Sequence, residues 1–365
     1  MNILHIATDE KFINSISWQF NEINIASNEF IILVEASKKN LKYVNLKKNF
    51  QIVLKNKKGL KYCVDQTKKY DIIIFHGLNH FQSQIILRVD NKSNIIWCFW
   101  GGEFYDNPKG LINKTLGEYT KKIFFNKSLS QKIKLLIRPL YYFLKNLSNV
   151  PEKDILIAAR QITYFGILYV EEMEYFKSIG YLSKSVKFFN MTYYPLEFLF
   201  KGIENVKVRG ENILLGNSAS FTNNHIEAFN FLKGINLEDR KIIMPLSYGD
   251  KVYGEKVDEI GKSIFGSKLE SIFHFIPLSE FNELLSTCNV VIMNHYRQQA
   301  VGNIIATLWM GAKVYLNEKN TFYHYLKRIG VYVYSIEKDL ISSGLYVLKG
   351  LDEEQVNHNR EILKK

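Results

Sequence analysis

VVIMNHYRQQAVGNIIATLWMGAKVYL, residues 290–316, falls into four parts. Val290–Met293 is a short apolar run and residues 294–299 are polar. Gly302 and Asn303 then open an apolar stretch that stops at Gly311, and Val314–Leu316 is apolar again. Strand, loop, helix and returning strand make a βαβ unit, whose right-handed crossover places the helix N-terminus at the carboxyl edge of a parallel sheet. Unpaired backbone N–H groups and the helix dipole both favour an anion there. Arg297 adds a bidentate fork suited to phosphate, and Gln298 and Gln299 add neutral amides able to read a base or a sugar. The stretch predicts a site for a phosphorylated ligand.

Short apolar runs recur along the rest of the chain in two series. The first comprises Asn2–Ile6, Phe30–Val34, Ile72–Phe75, Ile95–Phe99 and Ile155–Ala158. The second comprises Ile213–Leu215, Ile242–Met244, Ser271–Ile276, Val290–Met293, Val314–Leu316 and a late Val331–Tyr334. Strands alternating with longer mixed segments predict α/β architecture, two doubly wound Rossmann-like domains. A length of 365 residues suits two such cores. The weakly apolar 201–211 stretch predicts the linker, which divides the chain into domains 1–205 and 206–365.

Composition narrows the class. The chain is 47% hydrophobic and 23% charged, as soluble globular proteins are, and no uncharged apolar run approaches the roughly 20 residues of a membrane span. The opening MNILHIATDE reads as a first strand and not as a signal peptide. Cys63, Cys98 and Cys288 are odd in number and sit in apolar segments, which predicts buried thiols in a reducing compartment. A cytoplasmic location is expected, and neither a metal nor a cofactor.

The net charge of +12 is uneven: residues 1–205 hold 29 Lys and Arg against 18 Asp and Glu, and residues 206–365 hold 19 against 18. The excess is densest from Lys109 to Lys145, where nine bases (Lys109, Lys114, Lys121, Lys122, Lys127, Lys132, Lys134, Arg138, Lys145) meet one acid, Glu118. Leu, Ile, Phe and Tyr are interleaved with them, the pattern of a segment that docks on an anionic membrane surface. The alternatives are a helical hairpin with solvated lysines, or a nucleic-acid patch. No nucleic-acid motif accompanies the segment, and no nucleic-acid partner is expected.

Several motifs fall in one order along the second half: ILLGNSAS (213–220) with NHI (224–226), MPLSYG (244–249), FNELL (281–285), and RQQ (297–299) followed by Gly302. They resemble the TDP-N-acetylfucosamine:lipid II N-acetylfucosaminyltransferase family of GT-B glycosyltransferases. The first half matches more thinly, through Asp9, the trio Phe75, His76 and Gly77, and Trp100-Gly101 followed by Glu103. The resemblance implies two facing Rossmann-like domains, an N-terminal one for the acceptor and the membrane and a C-terminal one for a nucleotide-sugar donor. It implies transfer of 4-acetamido-4,6-dideoxygalactose from a TDP-sugar to a lipid-linked saccharide acceptor, by a peripheral protein on the cytoplasmic face of the inner membrane. Another nucleotide-sugar transferase of O-antigen or lipopolysaccharide assembly and a non-catalytic sugar-nucleotide or membrane-binding module are the competing readings. Many GT-B enzymes carry a ribose-binding glutamate where this chain has Ala306, a departure compatible with a deoxyribose donor.

The candidate donor contacts begin with Gly216, Asn217 and Ser218. They end a predicted strand, where glycine admits a diphosphate and the polar pair offers donors or, alternatively, helix caps. His225 is expected either at the diphosphate or on the surface. Tyr248 belongs to a turn that shapes a base pocket. Arg297, Gln298, Gln299, Gly302 and Asn303 complete the set, Arg297 opposing the charge that develops on a leaving diphosphate or else forming a structural ion pair. For the general base the candidates are Asp9, Glu103 and His76. Their plainer roles are a cap, a solvated or paired acid, and a buried strand-end histidine.

Overall fold

The computed structural model describes residues 1–22, 26–35, 41–89, 94–107, 110–125, 137–142, 144, 149–195, 198, 200–341 and 347–364. The chain forms two compact units, one of Met1–Ile112 with Ser128–Pro195, the other of Asn113–Lys127 with Leu196–Lys365. The expected division at 205/206 is thus corrected in two ways. The changeover comes ten residues earlier, and a stretch from the first half of the sequence belongs to the second unit.

The first unit is built on a seven-stranded sheet: β1 (Asn2–Thr8), β2 (Ser27–Val34), β3 (Phe50–Leu54), β4 (Ile72–His76), β5 (Ile95–Cys98), β6 (Tyr164–Ile167) and β7 (Lys187–Asn190). All pairings are parallel, in the order β3-β2-β1-β4-β5-β6-β7. The winding reverses between β1 and β4, and in open α/β sheets that reversal opens a crevice at the carboxyl edge. Beneath it Trp97, Phe99, Phe104, Phe165 and Phe176 interlock edge to face or tilted, with centroids 4.8–5.9 Å apart. Such pairs add about 0.5–1.5 kcal/mol each beyond area burial. Ile155–Ala158, expected as a strand, instead lies inside the helix Pro151–Ala159. Pro151 at its first turn, with Glu152 and Asp154 beside the positive dipole end, decides for helix over the apolar run.

The second unit repeats the scheme with β8 (Asn212–Leu215), β9 (Ile242–Pro245), β10 (Leu269–Ile272), β11 (Cys288–Met293), β12 (Lys313–Leu316) and β13 (Tyr334–Ser335). The order is β10-β9-β8-β11-β12-β13, all parallel, reversing between β8 and β11. β10 begins and ends earlier than the expected Ser271–Ile276, and the late strand is only Tyr334–Ser335. The 290–316 stretch folds as read: β11, a loop, the helix Val301–Met310, then β12 in register Val291 to Val314. Ala300, at φ 56, takes the left-handed turn before the helix, and Gly311, at φ 102, ends it. The three cysteines are free and buried.

Candidate active site

At the carboxyl edge of the second sheet β8 and β11 deliver their polar ends to one spot. Gly216 leaves β8 at φ +68, and a Cβ there would lie 2.6 Å from both Asn223 Oδ1 and His225 Nε2. Only glycine fits that approach. Asn223 is the hub of a buried polar network. Its Nδ2 donates to Ser218 O at 3.0 Å and to Ser220 O at 3.2 Å, which fixes the amide, and its Oδ1 accepts from the Asn217 N–H at 2.9 Å and from His295 Nε2 at 2.8 Å. His295 Nε2 also reaches Asn217 Oδ1 at 3.1 Å. Two amide oxygens facing Nε2 require it to carry the proton, so Nδ1 keeps its lone pair. No described residue donates to that nitrogen.

Gln299 closes the ring, its Nε2 donating to Asn217 Oδ1 at 3.1 Å and its Oε1 accepting from Thr222 Oγ1 at 2.6 Å. His225 is fully buried and its Nδ1 meets the Tyr253 hydroxyl at 2.9 Å. Of its two expected positions, at the diphosphate or on the surface, the surface one is excluded, because the residue opens a helix whose first turn packs inward. Burial pushes His225 down to about 3 and holds His295 well below the usual imidazole range, with the Arg297 charge acting in the same direction on His295. Both rings are neutral at pH 7, so neither supplies a cation to a diphosphate. Arg297 is the cation of this stretch, half-buried in the 294–300 loop beside Gln298. Gly302 and Asn303 occupy the first turn of the helix Val301–Met310, also half-buried. Tyr248 is held by its backbone, its carbonyl accepting from the Ala219 N–H at 2.7 Å, while its ring is 81% exposed.

Asn223, Asn224, Asn294, His295 and Asn317 are parts of this site that motif reading passed over as candidates. Asn294 and Asn224 exchange bonds at 3.1 and 3.2 Å, and Asn317 donates to Asn294 Oδ1 at 3.0 Å. A signal exists in the sequence for three of them: Asn294 and His295 directly follow the apolar run ending at Met293, and Asn317 directly follows the one ending at Leu316, polar groups that burial obliges to bond with one another.

The first sheet's edge has different chemistry. A cavity of about 630 Å³ is lined by Asp9, Gly77, Asn79, Gln82, Trp100 and Glu103, among others. Gly101, at φ +104, turns the chain sharply after β5, and Phe104 and Tyr105 anchor the next helical turn in the core. Glu103 is thereby brought back so that its Oε1 accepts the N–H groups of Leu78 at 3.1 Å and Trp100 at 3.3 Å. Oε2 has no hydrogen-bond partner among the described residues. Burial raises this carboxyl to about 7, outweighing the backbone donors and the Trp97 side chain, which pull it down.

Its two rivals are engaged elsewhere. Asp9 accepts the backbone N–H groups of Lys42, Tyr43 and Val44 at 2.7, 2.9 and 3.1 Å, so both oxygens hold a loop in place. His76 is fully buried, its Nε2 sharing a proton with His5 Nδ1 at 3.0 Å, and burial keeps both rings neutral. It is not among the residues that line the cavity, although its neighbour Gly77 is, and its carbonyl accepts from Gln82 Nε2 at 3.1 Å. Among the described residues no group of three or more His, Cys, Asp or Glu is arranged to hold a metal ion.

Solved structures share this arrangement of two parallel sheets. A sucrose-phosphate synthase from Thermosynechococcus elongatus aligns over 100% of this chain and 94% of its own, with a TM-score of 0.57 and 9% identity. An α,α-trehalose 6-phosphate synthase from Burkholderia multivorans gives 0.58 and 9% over 100% and 95%. An α-glucosyltransferase in complex with UDP gives 0.52 and 10% over 100% and 94%. At such identities the likeness is one of fold, that of GT-B glycosyltransferases. The sequence profile of 4-alpha-L-fucosyltransferases, glycosyl transferase group 56, matches residues 172–359, just over half of the 365 residues and most of the second unit. The chain belongs to this 4-alpha-L-fucosyltransferase family and is a hexosyltransferase of GT-B architecture.

Proposed function

We propose that the chain transfers 4-acetamido-4,6-dideoxygalactose from a TDP-sugar to a polyprenyl-diphosphate-linked saccharide, in assembly of a surface polysaccharide akin to enterobacterial common antigen. The observation that carries the donor half is the neutral imidazole and amide network beside Arg297. Its hydrogen-bonding atoms suit a sugar or base, and the guanidinium suits a leaving diphosphate. The α-glucosyltransferase of the same fold holds UDP. Ala306, half-buried on the helix Val301–Met310, offers no carboxylate to a ribose 2′-hydroxyl, which favours thymidine over uridine or guanosine.

The acceptor half of the reading rests on Glu103. In a direct displacement the Glu103 carboxylate takes the proton of the acceptor hydroxyl while the hydroxyl oxygen bonds to the anomeric carbon. The glycosyl–phosphate bond breaks, and its electron pair leaves on the diphosphate, where Arg297 meets the charge. A carboxyl near 7 suits this work, since a general base is most effective when its pKa is close to the operating pH.

The membrane half of the reading rests on the 109–145 segment, which the structure divides. Lys109, Lys127, Lys132, Lys134 and Lys145 lie outside the described residues. Residues 118–124 pack on the second unit. Among helical residues 137–142 and 144, Ile137, Leu140, Tyr141 and Leu144 recur at helical spacing and are 52–70% exposed. An outward apolar stripe with bases in its flanking sequence suits an anionic bilayer, met from the cytoplasmic side. No helix among the described residues is long and apolar enough to cross one.

Thermal melting with TDP, UDP, GDP and ADP at equal concentration tests the donor. Ligands that bind the folded state raise its stability by mass action, and TDP is expected to raise it most. A larger rise with UDP would return the reading to another nucleotide-sugar transferase.

A further inference from the structure

The helix Glu118–Phe124 comes from the first half of the sequence and packs on the helix His225–Leu232 of the second unit. Its first turn has no side-chain cap of its own. The cap comes from Glu227: Oε1 accepts the Thr120 N–H at 2.9 Å, and Oε2 accepts the Thr120 hydroxyl at 2.6 Å. A Cβ on Gly117 would lie 2.0 Å from Glu227 Oε1, so the approach requires glycine. Phe124 adds ring contacts with Tyr253 at 4.8 Å and Phe221 at 5.5 Å, flanking the donor loop.

The residue that joins this strap to the loop is Asn224, fully buried and held left-handed at φ 50 and ψ 46. Its Oδ1 accepts the Gly117 N–H at 2.8 Å, and its Nδ2 donates to Thr115 O at 3.1 Å. The same Nδ2 reaches Asn294 O and Thr222 O. One amide therefore binds the strap and both loops that present Asn217, His295 and Gln299. A left-handed non-glycine residue persists only where its surroundings over-determine it, and the strap provides half of these side-chain bonds.

We propose that residues 115–124 are a positioning element of the donor site, setting Asn223 and Asn224 so that the loop is pre-organised for a nucleoside diphosphate. This rests on the donor reading, and the test separates the two. In the full-length protein Thr120→Val keeps the size and removes the hydroxyl bond to Glu227, and Thr120→Ser restores it. Hydrogen exchange at residues 217–225 and calorimetric titration with TDP are measured in all three proteins. Loss of one hydrogen bond to a carboxylate is expected to weaken TDP binding about tenfold. Exchange at 217–225 should speed up and donor KM rise while kcat stays within about twofold, with Thr120→Ser returning all three. Unchanged exchange and affinity in Thr120→Val, whatever its melting temperature, would overturn the proposal. Faster exchange in the variant with no TDP binding by the unsubstituted protein would retain the clasp and overturn its service to a nucleotide.

Discussion

The two sheets wind alike and reverse at corresponding places, yet their carboxyl edges hold opposite chemistries. The first edge gathers carboxylates around a cavity and leaves one, Glu103, with a buried oxygen that makes no hydrogen bond among the described residues and a carboxyl lifted to about 7. The second gathers amides and two imidazoles that burial keeps neutral, with Arg297 half-buried among them. One fold thus holds a carboxyl near 7 at one edge and fixed neutral hydrogen-bonding groups at the other. Fold establishes where sites lie, and the residues at the strand ends establish what each does.

The largest expected effect would break the first edge. Glu103→Gln should lower kcat by about a thousandfold, in the middle of the range for losing a general base, with donor affinity kept. The unsubstituted enzyme should show an acid limb in kcat/KM near pH 7 that is absent from the residual activity of the variant. Stability should respond in the other direction. The folded state raises this carboxyl from 4.5 to about 7, so Glu103 contributes most below pH 4.5 and that contribution is lost as pH rises through 7. The variant, neutral throughout, should therefore gain on its parent in chemical denaturation above pH 7.

Arg297→Ala tests the second edge with the next largest effect, about a hundredfold in kcat/KM, as for loss of a preorganised charge contact. Gly216→Ala should do less to the rate and more to the fold. Its methyl would meet Asn223 and His225 at 2.6 Å on a left-handed backbone, costing about 1–3 kcal/mol, read as a lower denaturation midpoint. The smallest effect belongs to the exposed apolar stripe of Ile137, Leu140, Tyr141 and Leu144 and serves as a control for both edges. Replacing Leu140 and Leu144 by serine should weaken sedimentation with anionic vesicles severalfold, more so at high salt, which already screens the lysines, while leaving TDP binding unchanged.

How much of this was legible in the sequence depends on the range over which each signal acts. The 290–316 unit was readable because strand, loop and helix are local and their periods differ. Ile155–Ala158 misled because a short apolar run looks alike in a buried strand and a buried helix, and only the Pro151 cap distinguished them. β3, β6 and β7 passed unread, since FQIVL, YFGI and KFFN are short and only partly apolar. Glu103, Asp9 and His76 were close as candidates because what separates them is distant in sequence: the backbone of 42–44 for Asp9, His5 for His76, Leu78 for Glu103. The contact between Thr120 and Glu227 spans more than a hundred residues and has no local signature, so the strap was read only as part of a basic segment.

The division of labour between the two edges is tested most directly by calorimetric titration of TDP into three full-length proteins: unsubstituted, Glu103→Gln and Arg297→Ala. Glu103→Gln should bind TDP as tightly as its parent, and Arg297→Ala should bind at least about tenfold more weakly, as expected when a charged contact to phosphate is lost. Weaker binding in Glu103→Gln with full affinity in Arg297→Ala would place the nucleotide at the first edge and contradict the account.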